Sequence, residues 1–356
     1  MTAVLSRLIK RRDRGRGHRG NLGEGEVSLS DKIPVAVIGV GEYGRNHARQ
    51  FKEVAGAELV GVFDLRPERC REVAAELGVR ALTSLDEALS AARAVSVVTS
   101  TADHAAVARR AFDRNVDVLL EKPIARTVEE ADDLIARATA RGRILQVGHL
   151  ERFNPGTVAA KAVTSTPLFF EVHRLGVFSP RSLDVDVVFD LMIHDLDLVL
   201  WMVNAPVREV RAVGLPVLTD KVDIANARVE FENGTVANFT ASRVSTERVR
   251  KFRYFQPYEY FSIDFSRRDA LVLSVDRDGP TPQIKFRKLE TKSEEPLRAE
   301  LEAFVESVRT RRPPLVGGPE GRAALALAER VMNCIEEHAA RLHVPLGRPA
   351  GQSGEL

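Results

Sequence analysis

The stretch that decides the fold is Ile33-Pro-Val-Ala-Val-Ile-Gly39-Val-Gly41-Glu-Tyr-Gly44, an apolar run that leads into a G-x-G-x-x-G pattern. The apolar run is typical of a parallel strand buried on both faces, and a helix is predicted after it, over 45–54. Asp64 ends the next apolar run, 20 residues beyond Gly44. A strand, a glycine turn, a helix and an acidic residue in this order indicate a dinucleotide-binding site.

The glycines have separate roles in such a site. Gly39 allows the tight turn, Gly41 lets the backbone approach the pyrophosphate, and Gly44 lets helix and strand pack closely. The helix N-terminus offers N–H groups and a positive dipole to the phosphates. Asp64 would bind the ribose hydroxyls and repel a 2′-phosphate, so NAD is favoured over NADP, while Arg66 argues in the other direction. The cofactor-binding residues predicted from this motif are Gly39, Gly41, Glu42, Tyr43, Gly44, Asp64 and Arg66.

The first half of the chain continues as alternating strands and helices. Helices are predicted over 66–77 and 104–115, and a third helix runs from the capping box Thr127-Val-Glu-Glu130 to Arg141. Apolar runs between them predict further parallel strands. This alternation predicts an α/β unit, a Rossmann fold with a doubly wound parallel sheet, over residues 31–150.

After Pro155 the sequence becomes rich in alternating β segments. Asn233-Gly234 lies between two such segments and predicts a hairpin with a type I′ turn. Two helices, over 296–310 and 319–342, close the chain. The second half is therefore predicted to be α+β, an open and mainly antiparallel sheet backed by helices, which binds substrate and forms oligomers over residues 151–345. Residues 346–356 are predicted to be a flexible tail.

Residues 1–20 hold seven basic side chains and one acid, whereas the rest of the chain has 45 basic and 49 acidic residues. The body therefore lacks the charge of a nucleic-acid-binding protein, and residues 1–30 are predicted to be a disordered basic tail. Such a tail could bind RNA or act as a transit peptide. Gly23-Glu-Gly-Glu-Val27 also corresponds to a translated ribosome-binding site before a GTG start codon, so we expect the native chain to start near Val27.

Two further segments carry candidate chemistry. Glu121-Lys122-Pro123 ends a predicted strand, and ligands of such sheets bind beyond the carboxyl ends of the strands, so Lys122 should face the nicotinamide crevice. Residues 187–203 form a helix that is apolar on nearly every side, yet Asp190 and His194 lie on one face at i and i+4, with Asp197 one turn further. Burying these groups is costly unless they are partnered. Taken separately, Glu121-Lys122 is equally consistent with a surface ion pair. His194 alone is equally consistent with a core histidine whose hydrogen bonds are satisfied.

Together these segments resemble the Gfo/Idh/MocA family of oxidoreductases, over roughly residues 33–342. The resemblance implies that Lys122, Asp190 and His194 form the catalytic group. His194 would be the general base for the hydroxyl proton, and Asp190 would orient and stabilise its imidazolium. Lys122 would polarise the reacting oxygen or, as in some members of the family, serve as the base. The sequence leaves that choice open.

The resemblance also includes Thr99-Ser-Thr-Ala-Asp-His104, which lies where the family has a loop beside the nicotinamide. This chain has Asp103 where Asn is more usual, which weakens the prediction for this loop. The cofactor contacts implied by the resemblance are Thr99, Ser100, His104, Glu121 and Lys122. No metal ion is expected.

Several stretches resemble a narrower group of the family, the bacterial UDP-N-acetylglucosamine 3-dehydrogenases of lipid A amino-sugar synthesis. They are Gly148–Pro155, His173–Arg181, Asp184–Asp190 and Asp220–Asn226. This resemblance implies oxidation of the C3 hydroxyl to a ketone, which a separate aminotransferase would aminate. The diphosphate requires cations, for which the candidates are Arg152, Arg174, Arg181 and Lys221, with Asn154 for sugar hydroxyls or the acetamido group. Each of these arginines could instead pair with a nearby acid.

Three other functions remain as alternatives. A dehydrogenase of a free sugar or an inositol-like polyol would need fewer phosphate-binding cations. A reductase of a linear tetrapyrrole would not need Asp190 and His194. A non-catalytic regulator that senses NAD would not need to keep these two residues together with Lys122.

A cytoplasmic homodimer or homotetramer is expected. Cys70 and Cys334 lie too far apart for a metal motif, and no apolar run is long enough to span a membrane. Oligomers would form through the outer face of the antiparallel sheet. The candidate aromatic residues are Phe252, Tyr254, Phe255, Tyr258, Tyr260 and Phe261, about half of which could instead fill the protein's own core.

Overall fold

The computed structural model describes residues 32–179, 185–277, 281–343 and 346. The two predicted tails lie outside these residues, apart from Leu346. No helix in the described ranges is long and apolar enough to cross a membrane.

The first half of the chain forms a five-stranded parallel sheet in the order β2-β1-β3-β4-β5. Its strands are β1 (Ile33–Ile38), β2 (Ala57–Phe63), β3 (Ala94–Val97), β4 (Asp117–Glu121) and β5 (Leu145–Gly148). The helices are α1 (Glu42–Phe51), α2 (Pro67–Leu77), α3 (Leu85–Ala91), α4 (Thr101–Asp113) and α5 (Val128–Ala140). Every residue of β3 and β4 is buried, as expected of strands covered on both faces. The predicted doubly wound Rossmann sheet is confirmed, and its order reverses between β1 and β3.

The second half contains an eight-stranded sheet in the order β13-β12-β11-β10-β6-β9-β8-β7, antiparallel except where β6 pairs with β9. The strands are β6 (Phe169–Leu175), β7 (Val207–Leu215), β8 (Ile224–Phe231), β9 (Val236–Ser242), β10 (Val249–Gln256), β11 (Glu259–Asp264), β12 (Asp269–Asp276) and β13 (Gln283–Lys288). The helical segments are a 3₁₀ turn (Leu150–Phe153), α6 (Pro155–Val163), a π-helical turn (Val188–Met192), α7 (Ile193–Val203), α8 (Pro296–Thr310) and α9 (Gly318–Leu342).

Burial alternates along β6 and β10, so this sheet has an inner and an outer face. The inner face packs against α7 and α9, with Phe170 and Phe252 in the same core as Leu196 and Val331. Phe252, Tyr254 and Phe261 belong to this core. Tyr258 is exposed, and Phe255 and Tyr260 are half-buried on the outer face. The aromatic residues thus divide between the two faces because side chains alternate along a strand.

Helix α8 follows the second sheet in the chain but packs on the first. Its Leu301 and Phe304 share a core with Val37 of β1 and Phe51 of α1. Helix α9 joins the two halves, since its Gly321 lies against Val147 of β5 while the rest of the helix covers the second sheet.

Two local predictions need correction. The hairpin at Asn233-Gly234 is present, but only Gly234 has a positive φ (83°), and the backbone N–H of Phe231 donates to Thr235. The loop therefore has three residues and is not a type I′ turn. Thr127 caps α5 as predicted, but Glu130 accepts from the backbone of Arg126 rather than that of Thr127.

Two helices, α3 and α6, were not predicted from the sequence. Both helices begin at a side chain that accepts a hydrogen bond from the first turn, Ser84 for α3 and Asn154 for α6. Pro155 occupies the first position of α6. The pair Asn154-Pro155 is a recognisable helix start and could have identified α6.

Candidate active site

A groove of about 630 Å³ lies where the sheet order reverses, between the ends of β1 and β3. Its lining includes Gly39, Gly41, Asp64, Arg66, Thr99, Ser100, Asp103 and Arg110. Six of these eight residues are among the predicted cofactor contacts. Asp103 and Arg110 were not among them, because the sequence did not indicate which face of α4 borders the groove.

The glycine turn leaves space for a ligand in front of its backbone. A Cβ at Gly41 would meet no atom within 4 Å, whereas a Cβ at Gly39 would lie 2.6 Å from the carbonyl oxygen of Val98, and one at Gly44 would lie 1.8 Å from that of Gly39. No side chain caps the N-terminus of α1. Its first N–H groups are therefore available to a pyrophosphate, and the turn fits a dinucleotide.

Asp64 lies in this groove as an anion. Its Oδ2 accepts from the backbone of Val40 at 2.9 Å, and its Oδ1 accepts from the backbone of Arg66 at 2.9 Å. Burial acts to raise the pKa of Asp64, but these hydrogen bonds outweigh it and the pKa lies below its ordinary value. The side chain of Arg66 is mostly exposed and lies 3.3 Å from Asp64. Arg69 of α2 donates to the carbonyl of Val40 and so holds the loop in place.

His104 lies behind the groove. It is almost completely buried, and its Nδ1 donates to the carbonyl of Pro123 at 2.8 Å. Burial lowers the pKa of His104, so the ring is neutral. His104 therefore joins the start of α4 to the loop after β4, and it is not among the described residues that line the groove. Thr99 and Ser100 line the groove in front of it, and the hydroxyl of Ser100 donates to Asp103 at 2.7 Å.

Lys122 follows β4 and meets the π-helical turn. Its Nζ lies 2.7 Å from the carbonyl oxygen of Asp190 and 3.6 Å from the Oδ1 atom of the same residue. The π turn is closed by the N–H of Ile193, which donates to Val188, five residues earlier. Asp190 lies within this π turn, and both its main-chain oxygen and its carboxylate face Lys122.

His194 is half-buried beside this pair. Its Nδ1 atom is buried and has no hydrogen-bond partner among the described residues. The predicted hydrogen bond from Asp190 is therefore not formed at this nitrogen. Burial, and then the positive charges of Lys122 and Arg174, lower the pKa of His194 well below its ordinary value. The imidazole is neutral at neutral pH and able to accept a proton.

Glu121 is not among the described residues that line the groove. Only 7% of its surface is exposed, its Oε1 lies 3.3 Å from His47 Nε2, and its Oε2 accepts from the backbone of Lys122 at 3.2 Å. A Cβ at Gly148 would lie 2.5 Å from this carboxylate. His47 in turn meets the hydroxyl of Ser96 at 2.9 Å. These contacts hold the Glu121 carboxylate against α1, β5 and the backbone of Lys122, and its role as a cofactor contact stays a prediction.

His149, which follows β5, was missed by the sequence analysis. It is fully buried, its Nδ1 lies 3.8 Å from Asp197, and neither ring nitrogen has a hydrogen-bond partner in the described part of the chain. Burial lowers the pKa of His149. The negative charge of Asp197 acts against this shift, and the positive charges of Arg152 and Lys122 add to it. Its position at the end of the strand next to β4 is the signal that could have identified it.

Arg152 and Arg174 each hold a carboxylate of α7. Arg152 makes two hydrogen bonds with Asp197, at 2.6 and 2.7 Å, and Arg174 makes two with Asp195, at 2.7 and 2.8 Å. Arg174 also donates to Glu151 at 3.1 Å. Both guanidinium groups are buried in these pairs. The pairing with a nearby acid, which was the alternative to diphosphate binding, is therefore present for both arginines.

The other predicted substrate residues lie in different surroundings. Asn154 is buried, and its amide donates to the carbonyl of Phe265 while its oxygen caps α6. Lys221 is exposed in the turn before β8. Arg181 lies outside the described residues.

The sequence matches two family descriptions. Residues 33–149 match "Oxidoreductase family, NAD-binding Rossmann fold", and residues 172–255 match "GFO/IDH/MocA C-terminal domain". A UDP-N-acetylglucosamine 3-dehydrogenase of Acidithiobacillus ferrooxidans is 42% identical, with 84% of this chain and 96% of that protein covered. A myo-inositol 2-dehydrogenase of Thermotoga maritima is 27% identical, with 85% and 96% covered.

Solved structures agree with this similarity. A structure of the Acidithiobacillus ferrooxidans enzyme superposes with a TM-score of 0.81 at 41% identity, with 86% of this chain and 98% of that chain covered. An aldose-aldose oxidoreductase of Caulobacter crescentus shares the fold, with a TM-score of 0.77 at 21% identity and 86% and 98% covered. The chain belongs to the Gfo/Idh/MocA family of NAD-binding oxidoreductases.

Proposed function

We propose that this protein is an NAD-dependent dehydrogenase that oxidises the C3 hydroxyl of UDP-N-acetylglucosamine to the 3-keto sugar. The observation that carries the proposal is the 42% identity to a UDP-N-acetylglucosamine 3-dehydrogenase, over 84% of this chain and 96% of that protein. Lys122, Asp190 and His194, which lie together where the loop after β4 meets the π turn, would supply the groups that such an oxidation requires.

In this proposal His194 and Lys122 have separate roles in the oxidation. Neutral His194 accepts the proton of the C3 hydroxyl, because its depressed pKa keeps the ring unprotonated at neutral pH. Lys122, fixed by the carbonyl and the carboxylate of Asp190, polarises the reacting oxygen. The glycine turn and Asp64 would hold NAD, which would accept the hydride released from C3. The anion at Asp64 favours NAD over NADP, since a 2′-phosphate would meet like charge.

The reaction implies a place in a sequence of steps. A 3-keto sugar nucleotide is a substrate for an aminotransferase, so we propose such an enzyme as the downstream partner, in the cytoplasm, with the amino sugar of lipid A as the product. The protein would act there as a homodimer or homotetramer formed through the outer face of the eight-stranded sheet. In support, Phe255 stacks on Phe169 with a centroid distance of 5.6 Å and contacts Tyr260 at 5.1 Å on that face.

The rival with specific support is a polyol dehydrogenase, because a myo-inositol 2-dehydrogenase is 27% identical over a similar length. Purified protein should be assayed for NADH formation with NAD and UDP-N-acetylglucosamine, free glucose or myo-inositol. Glutamate and an aminotransferase are added to draw off the ketone. We expect turnover with the nucleotide sugar alone, and its loss in Lys122→Ala and His194→Ala. Turnover with myo-inositol alone would replace the proposed substrate. Tight NAD binding without any turnover would favour a regulator.

A further inference from the structure

The diphosphate of a nucleotide sugar needs cations that are not already neutralised. Arg152 and Arg174 each form a two-bond pair with a carboxylate of α7, so their charge is compensated within the protein. The diphosphate must therefore find other donors close to Lys122 and His194.

A cavity of about 320 Å³ adjoins the catalytic group and is lined by four arginines. Its walls include Asp190 and Leu191 of the π turn and the end of β6, together with Arg174, Arg243, Arg248 and Arg250. Since Asp190 also holds Lys122, a ligand in this cavity lies next to the reacting centre.

Two of these arginines have carboxylate partners. Arg174 pairs with Asp195 and Glu151, and Arg243 lies 3.5 Å from Asp223 and donates to the carbonyl of Val185. They form the wall of the cavity, and their charge is compensated.

Arg248 and Arg250 have no ion pair or hydrogen bond with any described residue. Arg250 lies directly opposite Arg174 in the register of β10 and β6, on the inner face that also carries Phe252. Like charges placed opposite each other on neighbouring strands are unfavourable. The charged groups that act on Arg250 are Arg174, Arg248, Glu151 and Asp195, and both of these acids already bond to Arg174.

We propose that Arg248 and Arg250 bind the diphosphate of the nucleotide sugar and thereby place its sugar ring at Lys122 and His194. Two guanidinium groups at i and i+2 offer one fork of donors to each phosphate, and a diphosphate would neutralise the excess positive charge of the cavity. The residues that select a nucleotide sugar over a free sugar would then be these two. This inference rests on the proposed function, because it assigns the substrate of the same site.

The test uses Arg248→Gln, Arg250→Gln and the double variant in the full chain. Arg267→Gln is the matched control, since it removes one positive charge from an exposed turn of the same sheet, away from the cavity. Binding of UDP is measured by calorimetry, and steady-state kinetics are measured with UDP-N-acetylglucosamine. Arg250→Lys keeps the charge and serves as a second variant, and thermal melting verifies that each protein is folded.

We expect each Gln substitution to raise both KM for the nucleotide sugar and Kd for UDP about 10- to 100-fold, the effect of losing a charge-assisted hydrogen bond. The change in kcat should be much smaller, Arg250→Lys should be intermediate, and Arg267→Gln should equal the wild type. Unchanged UDP binding in both Gln variants, while the wild type turns over the nucleotide sugar, would overturn the inference and leave the proposed function standing. If the wild type binds UDP through Arg250 but oxidises a different UDP-sugar, the proposed substrate falls and the arginine assignment stands.

Discussion

Lys122 Nζ lies 2.7 Å from the main-chain oxygen of Asp190 and 3.6 Å from its carboxylate Oδ1, although 68 residues separate the two in the chain. The π turn after Val187 presents both oxygens to the ammonium group. Such turns are frequent at functional sites. In the proposed mechanism, this pair fixes the position of the charge that faces the substrate.

Replacement of Lys122 by Met is expected to lower kcat about 10²- to 10⁴-fold, because the charge on the reacting oxygen is then no longer stabilised. NAD binding, measured by calorimetry, should change far less, since the glycine turn and Asp64 stay intact. Asp190→Asn, which keeps the main-chain carbonyl that Lys122 contacts, should have a smaller effect. An equal loss in the two variants would show that the carboxylate matters more than this geometry implies.

The low pKa of His194 predicts the acid limb of the pH profile. Burial and the charges of Lys122 and Arg174 lower this pKa, so we expect kcat/KM to fall only when the pH drops below about 6.5, the ordinary value for histidine. His194→Gln should abolish the limb, whereas Lys122→Met should retain it at a lower rate. The measurement is kcat/KM from initial rates across the pH range for the wild type and both variants. A wild-type midpoint above 6.5 would contradict the assignment of His194 as the base.

Asp64 predicts the cofactor preference. Asp64→Asn retains an oxygen for the N–H of Val40 but removes the charge that opposes a 2′-phosphate. We expect the ratio of kcat/KM for NAD to that for NADP to fall at least about tenfold, since like-charge contacts are strongly unfavourable. Arg66→Gln should move the ratio in the opposite direction if its side chain assists NADP. A ratio that is unaffected by Asp64→Asn would remove Asp64 from the cofactor site.

The Arg152–Asp197 pair is expected to stabilise the fold rather than bind substrate. Arg152→Met leaves a buried carboxylate unpaired and should lower the free energy of unfolding by about 3–5 kcal/mol. The guanidinium carbon of Arg152 lies 5.3 Å from the ring centre of Trp201, the only tryptophan, so urea unfolding can be followed by its fluorescence. Breaking the exposed pair of Arg322 and Asp132 should cost less than about 1 kcal/mol and provides the control.

Glu300 predicts a pH dependence of stability. It is fully buried on α8 and its carboxylate oxygens have no hydrogen-bond partner among the described residues. Burial, and then the charges of Glu121 and Glu295, raise its pKa well above the ordinary value. The unfolded chain loses this proton near pH 4.3 while the folded chain keeps it, so the free energy of unfolding falls as the pH rises above that value.

Glu300→Gln has no such proton to lose, so its advantage in Tm over the wild type should grow between pH 5 and pH 8. Glu306→Gln, on the same helix but exposed, is the control and should show no such trend. Melting curves for the three proteins that run parallel across this range would mean that Glu300 is ionised in the folded protein.

Much of the fold was predictable because the signals are local. The glycine turn at Gly39, the acid at Asp64 and the cap at Thr127 each depend on neighbours within a few residues, and a backbone conformation is set by those neighbours. The burial of residues 187–203 was likewise predictable, because an element that is apolar on nearly every side has to be covered. The π turn inside that segment was not, since no local residue pattern distinguishes it from an α-helical turn.

The sequence by itself determined the family and the cofactor turn, and it predicted which residues form the candidate site. Only the tertiary structure decided the partner of each charge: Arg152 with Asp197, Arg174 with Asp195, Lys122 with Asp190, and no described partner for Arg250. A side chain's partner depends on which elements pack together across tens of residues of chain. Arg174 and Arg250 therefore differ in role although both are arginines on neighbouring strands. Arg174 is buried in an ion pair, whereas Arg250 has no carboxylate partner among the described residues.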